Sequence, residues 1–162
     1  MPLRAGRRAG FTLIELLVVI AIIAILALIA MPNVQDKLVR DQIVEATKIA
    51  DIAKTPIASA WSTTKTLPAD NAAAGLPQAD KIVGNYVSAV TVEGGAIHIT
   101  FGNHANAGIN GKVLTLRPAV VEDAPVVPVA WVCARAGVPD KMTAQGTDRT
   151  TVPLQFLPLN CR

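Results

Sequence analysis

From Phe11 to Met31 the chain holds twenty-one residues with no lysine or arginine and a single carboxylate, Glu15. As an α-helix this run reaches about 32 Å at 1.5 Å per residue. That is close to the ~30 Å hydrocarbon thickness of a bilayer. It is apolar on every side, so it needs lipid or other apolar helices around it. Glu15 is the exception. A carboxylate in a membrane-length helix costs roughly 2.5–3.5 kcal/mol on insertion scales and marks a functional site by default. What Glu15 pairs with is the first question the sequence raises.

A short basic leader precedes the run. Residues 1–10 carry Arg4, Arg7 and Arg8. The formal charge of +3 comes from this leader alone, because residues 11–162 hold twelve positive and twelve negative side chains. The basic balance therefore belongs to a targeting segment and does not argue for a nucleic-acid partner. The positive-inside tendency keeps the arginine end in the cytoplasm and sends the remainder across the membrane. An ordinary secretory signal has a shorter apolar core followed by a small-residue cleavage site. Here a glycine, Gly10, stands before the run.

Pro32 follows the run and predicts a kink, since proline removes a backbone donor and crowds the preceding turn. The helix is expected to continue beyond it. From Asn33 to Trp61 an apolar stripe recurs at helical spacing: Val34, Leu38, Ile43, Ala46, Ile49, Ala50, Ala53, Ile57 and Trp61. Asp36/Arg40, Lys37/Asp41, Glu45/Lys48 and Lys48/Asp51 stand three or four apart and could form ion pairs on the other face. The expectation is one helix of about fifty residues, apolar all round in its first half and amphipathic in its second.

Residues 62–80 read as a loop, with Pro68, Asp70, Asn71, Gly75 and Pro77 as turn formers. Strands follow. Tyr86 to Val92 is the first, and Glu93-Gly94-Gly95 reads as a hairpin turn. Ala96 to Phe101 alternates, with Ile97, Ile99 and Phe101 on one face and His98 and Thr100 on the other. Lys112 to Arg117 is a third strand, and Pro118 to Pro125 connects it to a fourth at Val126–Cys133. The remainder to Asn160 reads as loop, with a short strand near Leu154–Leu157. His98 and His104 read as solvated, and Trp61, Trp131 and Tyr86 as packing residues. The class is α+β, a long N-terminal helix packed through its apolar stripe on a four-stranded antiparallel sheet.

Cys133 and Cys161 are the two cysteines. Beyond a membrane the compartment is oxidising, which favours a disulfide over two buried thiols. Closing a loop of about 29 residues would stabilise by roughly 3–4 kcal/mol in the chain-entropy model. The cysteine and histidine spacing matches no zinc pattern. No phosphate loop, activated nucleophile or catalytic carboxylate pair is present in the sequence, so neither an enzyme nor a cofactor is expected.

Gly10-Phe11-Thr12-Leu13-Ile14-Glu15 joined to the apolar run resembles the processing site of type IV pilins and related pseudopilins. The short leader resembles the type IVa branch. Trp131-Val132-Cys133 and the closing Pro158-Leu159-Asn160-Cys161-Arg162 resemble the disulfide-bounded C-terminal loop of that branch. The stretch from Tyr86 to Pro118 resembles its sheet. The resemblance implies a prepilin peptidase that cuts after Gly10 and methylates the new N-terminus, Phe11. It implies three parts: a cleaved leader over 1–10, a membrane or filament-core helix over 11–32, and a globular domain over 33–162. Within that domain the amphipathic helix runs to about 61, the loop covers 62–80, the sheet covers 81–133 and the disulfide loop covers 133–161.

The resemblance also implies a partner for Glu15. Cleavage exposes an α-amino group at Phe11, a cation at neutral pH with a reference pKa of ~7.7–8.0. In a core of stacked helices, a neighbour's amine can neutralise Glu15 and so favour one axial register. The family often carries a glycine midway along the apolar helix. Ala24-Ile25 stands there instead, leaving Pro32 as the nearest weak point where the helix could loosen.

The function this implies is a structural subunit that polymerises with itself into a type IV pilus for adhesion, twitching motility or DNA uptake. Its partners would be other copies, the prepilin peptidase and the inner-membrane assembly machinery. It would sit in the bacterial inner membrane as precursor and then in an extracellular pilus. A minor pilin shares the same signal. A DNA-binding or surface-docking pilin would use Arg135, Lys141, Arg149 and Arg162 of the final loop, against Asp140 and Asp148. A type II secretion pseudopilin is the further alternative. Its relatives typically use calcium in place of a disulfide loop, and no acidic ligand cluster is evident in the sequence here.

Overall fold

The computed structural model describes residues 10–162, and of Met31, Pro32 and Asn33 only the backbone is described. The leader up to residue 9 lies outside the described residues. So does the Pro32 side chain, on which the expected kink rests. The chain divides into two compact units, residues 1–35 and 36–162.

Two helices carry the first part. Helix α1 spans Leu13–Ile49 and α2 spans Asp51–Thr64. The single expected helix is thus interrupted at Ala50, which keeps near-helical angles of φ −66 and ψ −16. Pro56 lies inside α2 and has no N–H to give the carbonyl four residues earlier, which weakens the ladder just after the break. Helix α2 ends at Thr64, three residues later than expected. Lys65 closes it in the left-handed region (φ 56), its N–H returning to the Trp61 carbonyl.

The buried stripe within residues 36–162 is Val39, Ile43, Ala46, Ala50, Ala53, Ile57 and Trp61, an unbroken three-and-four spacing. This corrects the start of the expected stripe. Val34 and Leu38 are each 58% exposed, and Val39 takes the inward place. The expected ion pairs also fail to form. Among the described residues the helical pair present is Asp51–Lys54 at 2.7 Å, and Arg40 turns to the Gln155 carbonyl instead.

The sheet is an antiparallel meander. Strands β1 (Val87–Glu93), β2 (Ala96–Phe101), β3 (Val113–Val120) and β4 (Ala130–Cys133) lie in sequence order. Gly94 and Gly95 both have positive φ, as a two-residue hairpin turn between right-twisted strands requires. Val90, Ile99 and Leu114 align across three strands, as do Val92, Ile97 and Leu116. Together with Phe101 they form the face that packs with the helical stripe into one core.

Strand β3 runs through Pro118 to Val120, longer than expected. Strand β4 begins at Ala130, not Val126, whose side chain is 91% exposed in the connecting loop. The segment Leu154–Phe156 is a 3-10 turn and not a strand, since Pro153 and Pro158 bracket it.

A fifth strand, β5 (Thr143–Ala144), was not expected. Ala119 pairs with Ala130 of β4 on one side and with Ala144 of β5 on the other. β5 therefore extends the β2 side of β3 beyond the end of β2. Farther along, Thr151 and Val152 donate to the Val113 carbonyl, on the β4 side beyond the end of β4. Residues 143–152 thus form a strap that crosses the sheet from one edge of β3 to the other, over the face opposite the helices. Gly146 allows the crossing. It has φ +81, and a Cβ there would come 2.7 Å from the Ala96 Cβ.

The strap also corrects the expectation for His98. His98 is 5% exposed, not solvated, and Thr115 beside it is fully buried. Both faces of β2 are covered.

Candidate functional site

Gly10 and Phe11 precede the first helical turn, outside any regular element and exposed. An irregular, exposed peptide is the form a processing enzyme can bind. Thr12 then begins the helix. The Glu15 N–H donates to Thr12 Oγ1 at 3.3 Å, and the Thr12 N–H points back at Glu15 Oε2 at 3.5 Å. The Thr12 hydroxyl also reaches that oxygen at 3.4 Å. This reciprocal arrangement is a capping box, in which residues N-cap and N3 satisfy each other's free N–H groups. The acidic group also sits at the positive end of the helix dipole.

Glu15 is thus oriented by its own helix terminus. Among the described residues no cation lies within ion-pair distance of it. Thr12 was missed as a contributor to this site, although the spacing Thr-x-x-Glu before an apolar run signals it.

Beyond Glu15 the apolar part of α1 has no cover. Its most apolar 18-residue window has a mean hydropathy of 3.2, and none of it is buried. Every large apolar side chain from Leu13 to Ile29 is exposed. Such a surface is stable only in lipid or against other apolar helices.

At the other end of the chain Cys133 and Cys161 form a disulfide, both buried in the core cluster. The bond ties the end of β4 to the C-terminal turn Leu159–Cys161. The Arg135 N–H donates to the Cys161 carbonyl beside it.

The four cations of this loop are not brought together. The Arg149 guanidinium donates to Glu93 Oε1 at 2.6 Å. Arg162 donates from Nε to the Leu157 carbonyl at 3.0 Å and from a terminal nitrogen to the Gln155 carbonyl at 3.3 Å. Arg135 and Lys141 project into solvent. Two of the four therefore serve internal contacts.

An uncovered apolar helix of membrane-spanning length with one capped carboxylate, followed in the chain by a disulfide-closed α+β domain, is the arrangement of a subunit with an apolar anchor. Comparison with known proteins agrees. Residues 39–162 match the family of pilins, described as bacterial filament proteins, and residues 6–31 match the prokaryotic N-terminal methylation motif. The chain is 36% identical to a type IV major pilin protein PilE of Neisseria gonorrhoeae, over 94% of this chain and 93% of that one. It is 33% identical to a fimbrial protein of Neisseria meningitidis serogroup B and 35% identical to the fimbrial protein EcpC of Eikenella corrodens. These alignments cover 94% of this chain and 93% and 90% of the relatives. The chain belongs to the pilin family. That family is structural, and its members work by assembly.

Proposed function

We propose that this chain is the major subunit of a type IV pilus, processed after Gly10 and assembled through α1 with Glu15 as the register determinant. One observation carries the reading. Glu15 is the lone carboxylate on an otherwise bare apolar helix surface, and it lies four residues from the amine that processing would create at Phe11.

In the membrane, water near the headgroups and the Thr12 cap solvate the carboxylate. In a filament core those waters are gone, and an unpaired buried carboxylate is strongly unfavourable. A neighbour's Phe11 amine restores neutrality at one axial offset and at no other. The pair's net energy is small, because desolvation offsets attraction, so its contribution is specificity of register. Methylation of Phe11 at the amine retains the cation.

The leader 1–10, the helix 11–32 and the domain 33–162 are in this reading the removed, the core-forming and the surface-forming parts. The similarity to proteins named as major pilins supports a major over a minor subunit. The disulfide-closed C-terminus supports a pilus over a secretion pseudopilus. The internal engagement of Arg149 and Arg162 supports a structural role over DNA capture at this loop.

The test is Glu15→Val in the intact precursor. Membrane insertion and leader removal should persist, and filaments seen by electron microscopy should be lost. Normal filaments from this variant would contradict the register role.

A further inference from the structure

Beneath the strap lies a buried imidazole with an unusual set of neighbours. His98 is on β2, on the face away from the helices, aligned with Thr91 of β1 and Thr115 of β3. Its Nδ1 is 3.0 Å from Thr115 Oγ1. The same hydroxyl oxygen accepts the main-chain N–H of Arg149 at 3.0 Å. On the other side of the ring, Nε2 lies 3.9 Å from Glu93 Oε2, beyond hydrogen-bond range, and has no hydrogen-bond partner among the described residues. Glu93 in turn holds the Arg149 guanidinium at 2.6 Å. Asp148 Oδ1 accepts from both the N–H and the hydroxyl of Thr150, shaping the turn that brings Arg149 over the ring. Arg149 is therefore attached twice, by its backbone to Thr115 and by its side chain to Glu93, and His98 touches or faces both attachments.

The hydrogen-bond polarity follows from the donors present. Thr115 Oγ1 already accepts from Arg149, so its one hydrogen is best given to His98 Nδ1. The ring then carries its proton on Nε2, facing Glu93. This is the neutral imidazole.

We propose that His98 is an acid-sensitive latch for the middle of the strap, holding residues 146–149 across the sheet when neutral and releasing them when protonated. A proton on Nδ1 forces the Thr115 hydroxyl to turn its hydrogen away from its acceptor, inside a fully buried site. The new charge also stands beside the Arg149 guanidinium and competes with it for Glu93. Both attachments of Arg149 weaken together. The remaining strap contacts flank this point: on one side the two pairs of β5 and the Gln145 N–H on the Pro118 carbonyl, on the other the Thr115 N–H on Thr150 Oγ1, the edge bonds at Val113 and Val152 in the core. Opening is therefore confined to residues 146–149 and leaves the core intact.

The titration has the sign this needs. Burial pushes the imidazole below its usual value and Arg149 pushes it further, while Glu93 and Asp148 pull it back. The native state is therefore the weaker proton binder. The stability it draws from the neutral ring is complete above the unfolded value of 6.5. It is lost progressively as pH falls below that value toward the native one.

The experiment follows the His98 ring by NMR in the full chain in detergent micelles, together with amide exchange, from about pH 7.5 to about pH 5. The expected result is that His98 titrates below the ordinary imidazole value of 6.5. The amides of Thr115 and of residues 148–150 should shift with His98. Exchange across 146–149, corrected for intrinsic rate, should rise several-fold while β2 and β3 stay protected. In His98→Gln the pH response of the strap should vanish. Titration of His98 at or above 6.5, or amides of 146–149 indifferent to the His98 transition, would overturn the proposal. So would an unchanged pH response in His98→Gln. The wild-type titration stands alone if that variant does not fold.

Discussion

Arg40 of α1 donates from Nε and a terminal nitrogen to one main-chain oxygen, the carbonyl of Gln155, at 3.2 and 2.7 Å across 115 positions of sequence. Arg162 reaches the same oxygen. The carbonyl therefore ties the helix, the Leu154–Phe156 turn and Arg162 together. Arg40→Met keeps the aliphatic stem and removes the tie. It should lower stability by about 1 kcal/mol, given partial solvent access to the contact. Arg40→Lys should recover little of this, because a single ammonium cannot reproduce the fork. Urea denaturation of the full chain in micelles reads both.

The buried stripe makes a paired prediction. Ile43 is fully buried in the core, and Ile43→Ala should cost about 2–5 kcal/mol. Leu38, one turn away and exposed, should cost less than about 0.5 kcal/mol as Leu38→Ala. Equal losses at the two positions would show that the helix presents a different face to the sheet.

Asn71 protects the outer edge of β1. Its side chain accepts the Val92 N–H at 2.6 Å and donates to the Val90 carbonyl at 2.9 Å, standing in for a neighbouring strand. It also donates to the Pro77 carbonyl. Asn71→Ala leaves buried backbone groups unpaired and should cost about 1–3 kcal/mol. Amide exchange should localise the loss to Val92 and the loop 70–77.

Gly146→Ala tests the strap crossing. Both the positive φ and the approach to Ala96 oppose a side chain there, so the change should cost more than about 1 kcal/mol. Its effect on amide exchange should fall on residues 143–152 before the core.

Reduction of the disulfide should destabilise the domain by roughly 3–4 kcal/mol. Denaturation midpoints with and without reductant measure it, and Cys133→Ser with Cys161→Ser should match the reduced protein.

The elements with a strong period were legible in the chain. Ile43, Ala46, Ala53 and Ile57 announce a helix face, and Ile97, Ile99 and Phe101 announce a strand. Glycines at 94 and 95 place the hairpin. What the pattern could not convey was the cover on the second sheet face. The strap, Thr143 to Val152, has no apolar period and pairs by backbone and hydroxyl contacts, so His98 looked like an outward strand residue. The ion pairs expected around Arg40 lost to a carbonyl 115 residues away, which no local spacing encodes. At the N-terminus, Glu15 stood out as a charge in an apolar run, and Gly10 and Phe11 through their resemblance to a pilin processing site. Thr12 did not, although its capping geometry is local.

The central claim is that this chain, cut after Gly10, builds a filament. Mass spectrometry of surface filaments sheared from the producing cell tests it most directly. The account predicts a dominant component spanning residues 11–162, methylated at Phe11 and oxidised at Cys133 and Cys161. Filaments lacking this chain, or containing it with residues 1–10 still attached, would contradict it.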